Sequence, residues 1–198
     1  MKDSAIFGDV NGRSTDVDLG KDLTPYRYVL TRGGLLAASH RPRPLVVIGT
    51  NPSTATAETN DPTIRRDMGF AKSWGYGLLV KVNLHGWRDV DPSNMEAVRK
   101  SGRDVVGVDN AMHVTMALRL AWLCDGLVLC AWGKNATRDR VSEFTALVRQ
   151  ALEEMTSLEA LVAPSDLLHC IKTNADGSPI HTLYQPGASK PIPWVWQS

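Results

Sequence analysis

Leu45-Val-Val-Ile-Gly-Thr50 is a continuous run of aliphatic and β-branched residues that closes on a glycine and a threonine. Such a run fits a strand buried on both faces, as in a parallel sheet, because a strand with one wet face alternates apolar and polar residues. Three later segments repeat the pattern: Leu78-Leu-Val-Lys-Val-Asn83, Leu127-Val-Leu-Cys-Ala-Trp132 and Leu167-Leu-His-Cys-Ile-Lys172. Helical signals fill the intervals. Asp61-Pro62 reads as an N-cap followed by proline at the first helical position, with Ile64, Met68 and Ala71 recurring on one face. Residues 108–123 place Ala111, Val114, Leu118 and Ala121 on a second stripe. Val141, Phe144, Val148, Ala151, Leu152 and Met155 make a third, ahead of a loop at Ala163-Pro164.

Strands alternating with helices predict an α/β protein, a three-layer α/β/α sandwich around a central, mainly parallel four-stranded sheet. Tyr26–Leu30 alternates and predicts an edge strand. Residues 1–24 are polar, rich in Gly and Asp and without period, which predicts a loose N-terminal arm beside a single α/β domain over 25–198.

Composition narrows the class. The 198 residues are 43% hydrophobic and 22% charged, with 22 Lys+Arg against 21 Asp+Glu and a net charge of +1. Such a chain has enough apolar residues for a core, and it is not a generally basic wrapper of nucleic acid. Three cysteines, Cys124, Cys130 and Cys170, make neither a disulfide framework nor a Cys-x-x-Cys zinc pair. His40, His85, His113, His169 and His181 show no ligand spacing, so no metal or other cofactor is expected. No apolar run reaches the ~18 residues of a membrane span, and Met1-Lys-Asp-Ser4 does not open a signal peptide. The expectation is a soluble cytoplasmic protein with no membrane partner. Phosphate-loop, dinucleotide-loop, nucleophile-elbow and zinc-protease motifs are all missing.

In an open parallel sheet, ligands bind beyond the carboxyl ends of the strands, so the segments that leave the strands carry the candidates. After the first strand comes Gly49-Thr-Asn51-Pro52-Ser53. Gly49 permits close approach, and Pro52 stiffens the turn. Asn51 is either a turn asparagine or an amide whose carbonyl holds a water or a polar substrate edge. After the second strand, Asn83, Trp87 and Arg88 together suit a planar ligand, although Trp87 equally suits a cover for the core edge. After the third come Trp132 and Lys134. Lys134, like Arg65-Arg66 near another helix start, is a candidate anion contact, with local carboxylates as the competing explanation. The last strand leads into Asn174-Ala-Asp-Gly-Ser-Pro-Ile-His181, a turn that returns His181 over the sheet edge.

Read together, Tyr26-Arg-Tyr, Ile48-Gly-Thr-Asn-Pro-Ser-Thr-Ala55, Asp61-Pro-Thr-Ile-Arg-Arg66, Trp74-Gly-Tyr76, Val82-Asn-Leu84, Ala131-Trp-Gly133 and Asp176-Gly-Ser-Pro-x-His181 resemble the domain-of-unknown-function family 1643, found in bacteria and phages. The resemblance runs from about residue 26 to residue 194. A more distant one is to the uracil-DNA glycosylase superfamily. Its first motif is similar to Gly49-Thr-Asn-Pro52, and its third-strand segment to Leu129-x-x-Trp-Gly-x-x-Ala136. That resemblance implies a four-stranded parallel sheet and a base- or nucleotide-directed enzyme acting on a glycosidic linkage, and the distribution of family 1643 in bacteria and phages suggests a modified base in their DNA as the substrate. It implies that Asn51 positions the attacking water and that His181 bonds the departing base. Thr182 follows His181 where both families carry proline. The alternative is a non-catalytic module of the same fold that binds a nucleotide or modified base. A third reading makes Pro191–Trp196 an exposed tail that docks on another protein.

Overall fold

A computed structural model describes residues 25–36, 42–91, 93–156 and 168–195. In chain order its elements are β1 (Leu30–Arg32), β2 (Pro44–Gly49), α1 (Pro62–Ser73), β3 (Leu78–Asn83), α2 (Asn94–Lys100), α3 (Asn110–Leu123), β4 (Leu127–Cys130), α4 (Arg138–Thr156), β5 (Leu168–Cys170) and β6 (Ile192–Pro193). The sheet order is β1-β3-β2-β4-β5-β6. Neighbours β3, β2, β4 and β5 pair in parallel. Strand β1 joins β3, and β6 joins β5, both antiparallel. The protein is therefore α/β with a mixed six-stranded sheet, where the sequence led us to expect four strands.

Both faces are covered, which explains the unbroken apolar runs. Val46 and Ile48 point to one side, where with Val80, Val82 and Val128 they meet Val114, Leu118 and Ala121 of α3 and Phe144 and Val148 of α4. Leu45 and Val47 point to the other, where with Leu79 and Leu129 they meet Ile64, Phe70 and Ala71 of α1. Each such valine, leucine, isoleucine or phenylalanine contributes about 1.5–3 kcal/mol on burial. Helix α1 starts as its sequence signals, with Asp61 Oδ1 accepting from the Ile64 N–H at 2.8 Å and proline in the first turn.

This winding positions the site. The chain leaves β2 for α1 on one face and leaves β4 for α4 on the other, so the exits of these adjacent strands diverge and open a crevice.

Several boundaries differ from expectation. Tyr26 forms only an isolated bridge with Trp87, and the edge strand begins at Leu30. Ala111 is exposed on α3, and its place on the buried stripe belongs to Asn110, whose amide donates to Asn83 O (3.2 Å) and Leu84 O (3.1 Å). The tail is not wholly exposed. Ile192 and Pro193 pair with β5, and Trp194, 4% accessible, packs edge-on against Trp132. The expected arm 1–24, Leu167, the Met155 side chain, the Ala163-Pro164 loop and Trp196 lie outside the described residues. Among the described residues, no helix is long and apolar enough to cross a membrane.

Candidate functional site

A cavity of about 610 Å³ opens where β2, β3 and β4 end. Gly49, Asn51, Ser53, Asn83, Trp132, Lys134 and His181 all line it. Its walls are extensions of the sheet. The N–H groups of Leu84 and His85 donate to Gly49 O and Thr50 O, each at 2.9 Å, so the exits of β2 and β3 stay paired past the strand ends.

Asn51 is oriented by two backbone carbonyls. Its Nδ2 donates to Asp89 O at 2.8 Å and to Pro52 O at 3.0 Å. Only the NH2 end of an amide can meet two acceptors, so Oδ1 is the end left as an acceptor on this cavity-lining residue. Asn83, 1% accessible, has neither Nδ2 nor Oδ1 bonded among the described residues. Burying an amide unbonded is costly, which makes it a ready partner for a ligand with both a donor and an acceptor. A Cβ on Gly49 would come within 2.7 Å of Asn83 Oδ1, so only glycine leaves this floor open.

His181 arrives from a turn pinned at several points. Asn174 N–H donates to Ser178 O (2.8 Å), Ile180 N–H to Lys172 O (2.9 Å) and Gly133 N–H to Pro179 O (2.9 Å). The Leu183 N–H donates to Nδ1 of His181 at 3.2 Å. Burial, with the Lys81 ammonium next and Asp67 and Asp61 pulling weakly the other way, pushes its pKa down to about 4. The ring is thus neutral near pH 7 and, with Nδ1 accepting, carries its proton on Nε2.

Two residues that the sequence reading passed over meet here, Lys81 in the cavity lining and Asp67 behind it. Lys81 Nζ lies 3.0 Å from Asp67 Oδ2, with side chains 5% and 0% accessible, and the Thr182 hydroxyl donates to Asp67 Oδ1 at 2.6 Å. The signal was present: a lysine inside Leu78–Val82 and an aspartate on the apolar face of α1 each demand a buried partner.

Other candidates make contacts outside the cavity, Trp132 in addition to lining it. Trp87 is buried with Met95 and Val105 and meets Tyr26 edge-on at 5.5 Å, outside the cavity lining. Arg88 donates to Ala55 O at 3.1 Å, and Arg27 also reaches that carbonyl. Together they shape the loop that carries Asn51. Pro52 is buried beneath it, outside the lining, with its carbonyl bonded to the Asp89 N–H at 3.0 Å. Trp132 stands edge-on to Phe144, an aromatic core contact. Arg65 and Arg66 flank a separate cavity of about 430 Å³. There Arg66 Nε donates to Leu183 O at 3.3 Å, and Arg65 bonds the Asn60 carbonyl.

A family model described as "Protein of unknown function (DUF1643)" matches residues 27–183, from the segment leading to β1 through the turn that carries His181. The chain belongs to that family. No curated protein and no solved structure gives a significant match. In this DUF1643 member the match takes in Gly49, Asn51, Asn83, Trp132 and His181, so all of the cavity lining but Tyr184 and Gln185 lies within the family region. Among the described residues, no group of three or more His, Cys, Asp or Glu could hold a metal ion.

Proposed function

We propose that this cavity takes a base or nucleotide and acts on its glycosidic linkage, in the manner of the uracil-DNA glycosylases that Gly49-Thr-Asn-Pro52 resembles. The observation that carries the reading is the meeting, in one crevice, of a fixed acceptor on Asn51, a donor on neutral His181 and the unbonded amide of Asn83. Asn83 offers a base edge one donor and one acceptor. Asn51 Oδ1 accepts from a water and holds it against the sugar C1′. As the C1′–N bond breaks, its electron pair leaves on the base, and the His181 Nε2–H bonds the negative charge that develops there. Water oxygen then bonds C1′, and its surplus proton passes to the released base or to solvent. An amide cannot take that proton, so the chemistry requires a base that leaves readily. The target nucleotide enters unpaired or flipped from its stack.

One observation favours the second reading, a binding module without turnover. The two carboxylates that line the cavity anchor local structure through Oδ1, Asp61 with the Ile64 N–H and Asp89 with the Asp91 N–H and Asn94 Nδ2, which leaves Oδ2 as the only base either offers to a water.

Base release measured by mass spectrometry separates the two. Wild type and Asn51→Ala are incubated with single- and double-stranded DNA carrying uracil, mismatches and hypermodified thymines. Free base that appears with wild type and disappears with the variant supports the glycosidic reading. Micromolar binding by calorimetry with no release from any substrate rejects it in favour of the module.

A further inference from the structure

A buried ion pair is a poor source of stability, since apolar residues of similar size serve as well or better, so its presence beside a cavity calls for another reason. Lys81 Nζ has three hydrogens, and Asp67 Oδ2 takes one of them. On its open side a Cβ at Gly49 would lie 3.1 Å from Nζ, and the chain has no Cβ there. Lys81 and Gly49 both line the cavity. The other oxygen of Asp67 holds the Thr182 hydroxyl, next in the chain to His181. One carboxylate on α1 therefore ties the charged floor, on β3, to the wall that carries the histidine.

We infer that Lys81 is the charge this cavity turns toward its ligand, and that Asp67, through Thr182, is the positioning residue that holds His181 beside it. The ligand edge that Lys81 meets is electron-rich and carries or develops negative charge. This deepens the reading of the cavity as the base site and rests on it. It also gives the Thr182 hydroxyl a role that a side chain without a hydroxyl cannot fill, the donor to Asp67. The groups facing His181 are Lys81 from β3, Asp67 from α1 and Asp61 from its N-cap. Lys134 and Arg27 line the same cavity.

The test follows the titration of His181 by NMR in the intact protein without ligand, in wild type and in Lys81→Met, Thr182→Val and Thr182→Ser. Loss of the ammonium raises the His181 pKa by about one unit or more. T182V, which frees the wall and lets water to the ring, also raises it, while T182S keeps the wild-type value. Where K81M does not fold, K81M/D67L removes both charges and gives a smaller rise, since the lysine acts on His181 more strongly than the aspartate. A His181 titration identical to wild type in folded K81M or in the double variant overturns the inference, and so does T182S behaving as T182V does. In the base-release assay the folded lysine variant slows release without weakening DNA binding. If wild type releases no base, the glycosidic reading fails by itself, and the histidine titration still decides the role of Lys81.

Discussion

Asn51 is held by its nitrogen, and that fact yields a prediction independent of any substrate. Both partners of Nδ2 are carbonyl oxygens. Asn51→Asp would set a carboxylate against two acceptors, whereas Asn51→Ala merely leaves them to water. At neutral pH the aspartate variant is therefore the less stable of the two, by about 1–3 kcal/mol. In acid the gap narrows, because a protonated carboxyl can donate to one of the carbonyls. Urea unfolding of both variants at the two pH values checks this, and equal stability at neutral pH would mean that the amide is not held as described. How far this site could be read from sequence depends on the kind of residue. Gly49, Asn51, Asn83 and Lys134 reach the cavity because they follow strand ends, a rule visible in any parallel-sheet sequence. Trp87 and Arg88 occupy an equally suitable exit yet turn inward, toward Tyr26 and the Ala55 carbonyl. Those partners are distant in sequence, and no local pattern announces them. Lys81 and Asp67 each looked anomalous alone, but only the packing of α1 on β3 makes them a pair.

At the scale of elements, a glycine that ends β2 and one inside α1 behave oppositely. Gly49 closes β2 with its α-hydrogens against Asn83 and Lys81, so Gly49→Ala forces a Cβ to 2.7 Å from Asn83 Oδ1 and 3.1 Å from Lys81 Cε and Nζ. Those atoms are buried and cannot swing away freely. The expected cost is about 1–3 kcal/mol, together with loss of any ligand that Asn83 holds. Gly69 lies within α1, where a Cβ meets nothing within 4 Å, so Gly69→Ala should stabilise by about 0.5–1 kcal/mol. Thermal unfolding of the pair tests both signs at once; a neutral G49A would show that the floor has room to spare. The same scale explains which elements were legible. Strands β2 and β3 are long, apolar runs buried on both faces, and α1 carries its cap and its stripe in sequence. Strand β6 has only two residues, one of them proline. Its place is set by pairing with β5 and by Trp194 settling on Trp132, neither of which leaves a periodic trace.

For the molecule as a whole, the decisive charges are ones it suppresses. His85, buried and beside the Arg140 guanidinium, has its pKa pushed down to about 4, and His181 stands at about 4 for the reasons given above. Both return to the ordinary value of 6.5 when the chain unfolds. Between those limits the unfolded chain binds more protons than the folded one, so stability rises with pH and is lost as pH falls from about 6.5 toward 4. Each histidine contributes a slope of at most about 1.4 kcal/mol per pH unit across that window. Water reaching the partly accessible His181 ring makes its share the smaller. His113, whose pKa burial also lowers, adds in the same direction. Urea midpoints measured from pH 7 to pH 4 should therefore fall steadily. His85→Gln and His181→Gln should each flatten part of that fall, and their effects should add, because the two rings face different neighbours. If the wild-type profile were flat across the window, neither ring would be held neutral. The neutral tautomer assigned to His181 would then fail in mild acid, because a charged imidazole is protonated on Nδ1 and cannot accept the Leu183 N–H there. The stability profile therefore tests the site's chemistry without knowledge of its substrate.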